Sequence, residues 1–498
     1  MTMDFDKILE NVGTFGKIQK LHYMIICFSS LCGAQYVLSL TFIGISPGYK
    51  CKDRPEAEDP CALDPPCEQF VYGDQFTSII TEWDLVCEKE KYAGYAQSVV
   101  FSGFLIGNIV IGTICDMYGR KKTLVIGSAL IVAVQIISAF TTSFRQFLVS
   151  RFITGFLTAN VAAAVLILEM THKSVRAILS NLSSNFFAFS IAILALTAYF
   201  IRDWRHLMIF SNVPMIFALI LFWFLPESPR WLASKGRVTE AEDVLIDIAH
   251  KNGISIPRSM VSMAEEKPTS NKGETTKNLM DAFKAHELRR RLLILMYVWP
   301  VTCMTYYGLT YQSSSLGGNK YIDVAASGLI EIPGLLIATY ICEKFGRKKT
   351  SVACYLLGAV TCFGFILVPG NTGHDGESHV QIALALTGKM GIAAAFCVLY
   401  TYTGELMPTV LRSTGIGACS MVARVGGIIA PLLITLGDGV SYGTYGITCL
   451  IAGVMVMSLP ETKNKPIPET IDDIESSKVT QDVKYTRVDD NETDEDKL

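Results

Sequence analysis

Asp116-Met117-Tyr118-Gly119-Arg120-Lys121-Lys122 stands directly after one apolar run and directly before another. About 230 residues later, Glu343-Lys344-Phe345-Gly346-Arg347-Lys348-Lys349 sits in the same kind of place. A helical hairpin at a bilayer surface needs a flexible residue for the bend and cations for the water side, which Gly and the Arg-Lys-Lys triplet supply. Two further signals repeat in the same order. Glu169 precedes Arg176 as Glu405 precedes Arg412, and Leu225-Pro226-Glu227-Ser228 closes an apolar run as Leu459-Pro460-Glu461-Thr462 does. The offsets between copies agree within about ten residues, so the chain is two homologous halves. Parallel repeats of this kind are a signature of transport proteins.

Working outward from the hairpins, apolar runs fall at about 22–45, 94–115, 123–141, 147–169, 178–200, 206–225, 291–311, 322–342, 350–369, 380–404, 413–436 and 441–459. Each is long enough to cross a bilayer as a helix. Half the residues are hydrophobic and only 18% charged. The expected fold is therefore an all-α membrane protein of twelve transmembrane helices in two six-helix halves. Residues 1–20 form an N-terminal segment, 21–226 the first bundle, 227–290 a helical linker, 291–460 the second bundle and 461–498 a disordered acidic tail. An even number of spans puts both termini on one side. Arg120, Lys121, Lys122, Lys173, Arg176, Arg289, Arg290, Arg291, Arg347, Lys348, Lys349 and Arg412 share that side, which makes it cytoplasmic.

The loop 46–93 is then outside. It gathers Cys51, Cys61, Cys67 and Cys87 among acids and prolines, and four cysteines in such a loop read as two disulfides of unassigned pairing. Zinc is the weaker alternative, because paired C-x-x-C knuckles are missing. In the linker, Thr239 with Glu242 reads as a capping box, Leu245, Ile246 and Ile248 as an apolar stripe, and Gly253 as a helix stop. The stretch 265–276 reads as a flexible link.

Walker A, H-E-x-x-H, G-x-S-x-G and dinucleotide motifs do not occur, so an enzyme reading has no site, and nothing calls for a cofactor or a metal. A formal charge of −3 without a basic stripe carries no nucleic-acid signal. Charge inside the spans is the better guide, since an ionisable group there costs several kcal/mol unless it meets water or a partner. Arg424 lies about twelve residues into its run and Glu331 about nine, while Lys389 sits nearer an outer end. Two readings compete: Arg424 and Glu331 line a central cavity and meet substrate charges, or they form a permanent pair with each other. The first is preferred because a guanidinium fork suits carboxylates at the midplane, where substrates bind. Lys389 either joins the site or snorkels outward. Gly426 and Gly427, like Pro333 and Gly334, are expected to interrupt their spans beside these charges. Tyr306 and Tyr307 either offer ring faces to an ammonium group or serve as belt or packing tyrosines near the outer surface. Tyr36, Phe101 and Phe187 are aromatic candidates for the wall, with ordinary core packing as the alternative, and Arg151 reads as a packing residue.

The hairpin-side charges form a second set. Asp116, Gly119, Arg120, Glu169, Arg176, Glu227 and Arg230, with Glu343, Arg347, Glu405 and Arg412, are expected to act as a latch that pairs across the two halves when the inner side is closed and separates when it opens. The positive-inside tendency accounts for the cations and leaves the acids unexplained.

These motifs resemble the major facilitator superfamily, and within it the organic cation, organic anion and carnitine transporter family. The general hairpin motif is Gly112-x-x-x-Asp116-x-x-Gly119-Arg120-Lys121. More specific are the stretch Thr77 to Cys87 (TSIITEWDLVC), Pro226 to Trp231 (PESPRW), Tyr306-Tyr307-Gly308-Leu309, and Tyr402 to Thr409 (YTGELMPT) running on to Arg412. The glutamine-rich seventh-span signature of sugar porters is missing, and Thr339 replaces the Gly that opens the second hairpin motif. The resemblance implies alternating access at the plasma membrane. Arg424 looks like the anion and carnitine members, and Glu331 like the cation and carnitine members. The expected partners are a small organic ion, the bilayer and a co-transported or exchanged ion. A carnitine-like zwitterion or carboxylate is the preferred substrate; an organic cation carrier, a sugar-type facilitator and a non-transporting receptor are the alternatives.

Overall fold

The computed structural model describes residues 5–57, 59–63, 67–158, 162–261, 279–316, 318–368, 379–408, 411–465, 468–471 and 473–475. The apolar runs become helices, numbered here as spans: 1 Lys17–Ile43, 2 Lys91–Tyr118, 3 Arg120–Ala139, 5 Lys173–Phe200, 6 Trp204–Phe224, 7 His286–Gln312, 8 Lys320–Phe345, 9 Arg347–Leu367, 10 His379–Leu406, 11 Arg412–Ile434 and 12 Asp438–Met457. Among the described residues, eleven segments are long and apolar enough to cross a membrane. Of span 4 the described parts are Phe144–Thr158 and Ala162–Met170; residues 159–161 lie outside the described residues. Helices are required here because only they satisfy every backbone group within one segment in a medium without water. Trp223, Phe200 and Leu367 are exposed on the outer faces, as residues facing lipid must be.

Both hairpins turn on glycines that no other residue replaces. Gly119 has φ +108° and ψ 161°, and Gly346 φ +95° and ψ 167°, a region essentially closed to residues with a Cβ. A Cβ at Gly119 would also run into the Glu227 carboxylate, and one at Gly346 into that of Glu461. Gly119→Ala or Gly346→Ala is expected to cost about 1–3 kcal/mol. A thermal midpoint of the purified variant equal to the parent's would contradict this.

The cysteine loop carries a two-stranded antiparallel ribbon, Tyr49–Cys51 against Phe70–Tyr72, with Lys50 opposite Val71. Its disulfides are Cys51–Cys67 and Cys61–Cys87, which gives the pairing that spacing left open. The loop is fastened to the first half by Arg205 to Glu82 at 2.8 Å and by Thr77 Oγ1 to Asp203 at 2.9 Å. Replacing Cys61 and Cys87 together by Ser is expected to destabilise the protein by about 2–4 kcal/mol, read as a lower melting point; a reductant should then shift the variant less than the parent.

Two expectations are corrected. The linker helix Val238–Lys251 starts at Arg237 and not at a Thr239 box, because Glu242 turns to Arg258 at 2.9 Å. It ends as expected at Gly253, in a left-handed conformation, and Asn252 beside it ties the linker to Val12 and Ile18. The N-terminal segment is a helix, Phe5–Val12, with Ile8, Leu9 and Val12 buried. The tail is not formless from 461. Ile471 and Ile474 are buried, and Glu475 accepts from Glu287 N at 2.8 Å, satisfying a free N–H at the start of span 7. Residues 265–276 and 476–498 lie outside the described residues.

The two halves meet on the disulfide side. Ser98 Oγ donates to Ile428 O at 2.8 Å, Gln97 bonds Tyr311, Phe42 stacks on Tyr321 at 5.6 Å, and the Lys320 ammonium lies 3.2 Å from the Phe76 ring centre. Gly426 and Gly427 do not interrupt span 11, which runs unbroken through them. Their lack of a side chain lets Gly426 pack on Pro300 O and Gly427 on the Phe101 ring of the other half. Span 8 does break, at Ile330, one residue before Glu331.

Candidate functional site

Between the halves lies a cavity of about 400 Å³. Tyr36, Phe187, Tyr306, Tyr307, Glu331 and Arg424, all expected in a site, line it together with Phe104, Phe396 and Tyr400. Its wall extends to Leu124, close to the Gly119 turn, so it runs from mid-depth toward the hairpin side. Phe101 stands one layer back, edge-on to Tyr307 with ring centres 4.6 Å apart.

The two charges do not pair with each other. Arg424, 8% exposed, holds its guanidinium 4.0 Å from the Phe104 ring centre and touches Ser420 Oγ at 3.5 Å. Among the described residues no carboxylate pairs with it. An aromatic face lowers the cost of holding a cation there and leaves the guanidinium fork available.

Glu331, 3% exposed, takes the Tyr306 hydroxyl at 3.0 Å on both oxygens and the Lys389 ammonium at 3.1 Å. Lys389 also donates to Thr310 and lies 3.9 Å from the Tyr306 ring centre. It neither snorkels nor lines the cavity; at 1% exposure it stands behind Glu331 as its counter-ion. The sequence did hold a signal for this pair. Counted from the disulfide-side ends of spans 8 and 10, at Lys320 and His379, Glu331 and Lys389 lie at nearly equal depth, about 15 Å in at helical rise.

Arg151 is wholly buried and bonds Ser39 at 3.2 Å, Thr154 at 3.3 Å and Gln135, which makes it the packing residue expected of it. Phe104, Phe396 and Tyr400 escaped the sequence reading because an aromatic in a span looks the same whether it faces a cavity or a neighbour.

In this conformation, with the cavity running toward the hairpin side, the hairpin charges pair inside each half. Arg120 bonds Glu169 at 2.9 Å and Asp116 at 3.0 Å, and Glu227 accepts from Arg120 N at 2.8 Å and Lys121 N at 3.0 Å. The second half repeats this: Arg347 bonds Glu405 at 3.0 Å and Glu343 at 3.2 Å, and Glu461 accepts from Arg347 N at 2.9 Å. The reason is local, since Gly119 and Gly346 leave the first N–H groups of spans 3 and 9 open and a carboxylate is favoured at that positive helix end. Burial opposes charge on Glu461, yet its backbone N–H donors hold its carboxyl below the usual range. Arg230 turns to Asp6 at 2.9 Å, and Arg412 is half-buried at the start of span 11. The Arg176 side chain lies outside the described residues.

Residues 65–472 match the family described as "Sugar (and other) transporter". The chain is 36% identical over 482 residues to "Solute carrier family 22 member 15-like" of Xenopus tropicalis, covering 95% of this chain and 97% of that one. It is 32% identical over 442 residues to human "Organic cation/carnitine transporter 2", covering 88% and 78%. Among solved structures, the partially occluded inward-open xylose transporter XylE from E. coli superposes with a TM-score of 0.63 at 17% identity, over 93% of this chain and 99% of that one; this likeness is one of fold. Repeated hairpins, two helical halves and a charged cavity between them thus agree with the comparisons: the chain is a membrane transporter of the major facilitator fold and belongs to solute carrier family 22, the organic cation and carnitine transporter family that its motifs resemble.

Proposed function

We propose that the protein carries small organic ions with a carboxylate, carnitine-like zwitterions among them, across the plasma membrane by alternating access. The observation that carries this is the charge balance of the cavity wall. Glu331 is neutralised by Lys389, whereas Arg424 meets the Phe104 ring and the Ser420 hydroxyl and, among the described residues, no carboxylate. The wall therefore presents one net cation, and a substrate carboxylate supplies what it lacks. The volume, about 400 Å³, is in the range of small-molecule sites. A zwitterion places its ammonium toward Glu331 and the rings of Tyr306 and Tyr307.

An organic cation carrier is the second reading, favoured by the acceptor surface of Glu331 and by the names of the relatives. The tight pairing of the hairpin charges inside each half supports movement of the halves as units, with Arg120, Glu169 and Glu227 bracing one and Arg347, Glu405 and Glu461 the other. Basic residues on the hairpin side and disulfides on the opposite side support cytoplasmic termini. The test is uptake of a carnitine-like zwitterion, a monocarboxylate, a quaternary ammonium ion and a hexose by cells expressing the chain, with and without a sodium gradient. Uptake of the quaternary ion alone would replace the first reading by the second, and binding without uptake would point to a receptor. The sodium arm decides whether an ion is co-transported.

A further inference from the structure

A second cavity, of about 380 Å³, lies at the base of the first half, away from the central one. Lys121 and Lys122 of span 3 form one wall, Trp231 and Leu232 another, and Arg237, Glu240 and Asp243 of the linker helix the rim. Most of these charges are already matched. Glu227, also in the wall, is occupied by the N–H groups of Arg120, Lys121 and Ser228. Glu240 pairs with Arg237 at 2.5 Å, and Asp243 with Arg258 at 3.0 Å.

Two cations remain. Lys121 donates to a neutral acceptor, Trp223 O, at 3.3 Å, and Lys122 is exposed. The positive-inside tendency explains why lysines are here, but not why a hollow with an aromatic floor lies beside them. The carbonyl that Lys121 touches belongs to Trp223, which is 84% exposed, and Phe217, Ile220 and Phe224 on the same span are exposed as well. A hollow with two lysine ammonium groups on its wall thus continues into an apolar strip that faces lipid. A soluble anion gains nothing from the strip, whereas a molecule with a phosphate and acyl chains uses both.

We propose that this cavity binds an anionic phospholipid, with its phosphate at Lys121 and Lys122, its headgroup over Trp231 and its chains along the exposed residues of span 6. The full chain is reconstituted in phosphatidylcholine vesicles containing phosphatidylserine, and the lipid kept through detergent extraction is measured by native mass spectrometry. The expected result is a preference of about thirtyfold for phosphatidylserine over phosphatidylcholine, the ratio that two juxtamembrane lysines produce at a charged surface. Lys121→Gln with Lys122→Gln should bring it toward parity, and Lys235→Gln, an exposed cation outside the cavity, should leave it unchanged. If the double variant does not fold, Lys122→Gln alone should lose about fivefold. Equal retention of both lipids by the parent overturns the proposal. So does equal loss on Lys235→Gln, which would mean diffuse surface charge, or displacement by glycerophosphoserine, which would mean a soluble phosphate ligand.

Discussion

Arg424→Ala is expected to lower uptake of carboxylate substrates by about thirtyfold to several thousandfold while the protein still reaches the cell surface. Truncating one partner of a buried charged contact costs about 2–5 kcal/mol, and each 1.4 kcal/mol is a factor of ten. Folding should survive, because the guanidinium has no carboxylate to leave stranded and rests on the Phe104 ring. Arg424→Lys should also transport poorly, since an ammonium does not reproduce the two-pronged contact. A substrate with a quaternary nitrogen and no carboxylate serves as the control: its uptake should hold or rise once the wall loses its net cation. Carboxylate uptake by Arg424→Ala at the parental level, normalised to surface protein, would remove the residue from the binding site.

Glu331→Gln should act differently, on stability before transport. It leaves the Lys389 ammonium, which is 1% exposed, without its counter-ion in a low-dielectric interior, and such a break costs about 3–5 kcal/mol. The expected result is poor expression or a markedly lower melting point. Adding Lys389→Met removes the stranded charge and should restore much of the stability, because replacing both members of a buried pair by groups of similar volume is often neutral. The restored double variant should still fail to recognise the ammonium end of a zwitterion. If the double variant is as unstable as Glu331→Gln alone, the pair is not what holds the two side chains there, and Tyr306 and Thr310 become the groups to examine.

The hairpins show where reading from sequence succeeds and where it stops. Gly119 and Gly346 were legible as turns because only glycine serves there, and Arg120 and Arg347 were legible as paired because acids recur at fixed offsets. The partner of each carboxylate was not legible. Glu227 and Glu461 take as donors the open backbone N–H groups that their own half's glycine creates, which the spacing of charges alone does not reveal. Gly426 and Gly427 misled in a similar way. Paired glycines in a span signal either an opened backbone or a close neighbour, and only the position of Phe101 and Pro300 decides for the second.

From the chain alone come the class, the two halves, the crossings and the presence of charge at mid-depth, because bilayer thickness and the absence of water there constrain each segment independently of its neighbours. What meets what across segments needed the tertiary structure: Lys389 behind Glu331, Phe104 under Arg424, and Cys51 with Cys67. These depend on how helices rotate about their own axes when packed. A bilayer imposes depth on a residue but not direction, so periodicity fixes the level of each charge and leaves its facing to the neighbouring helices.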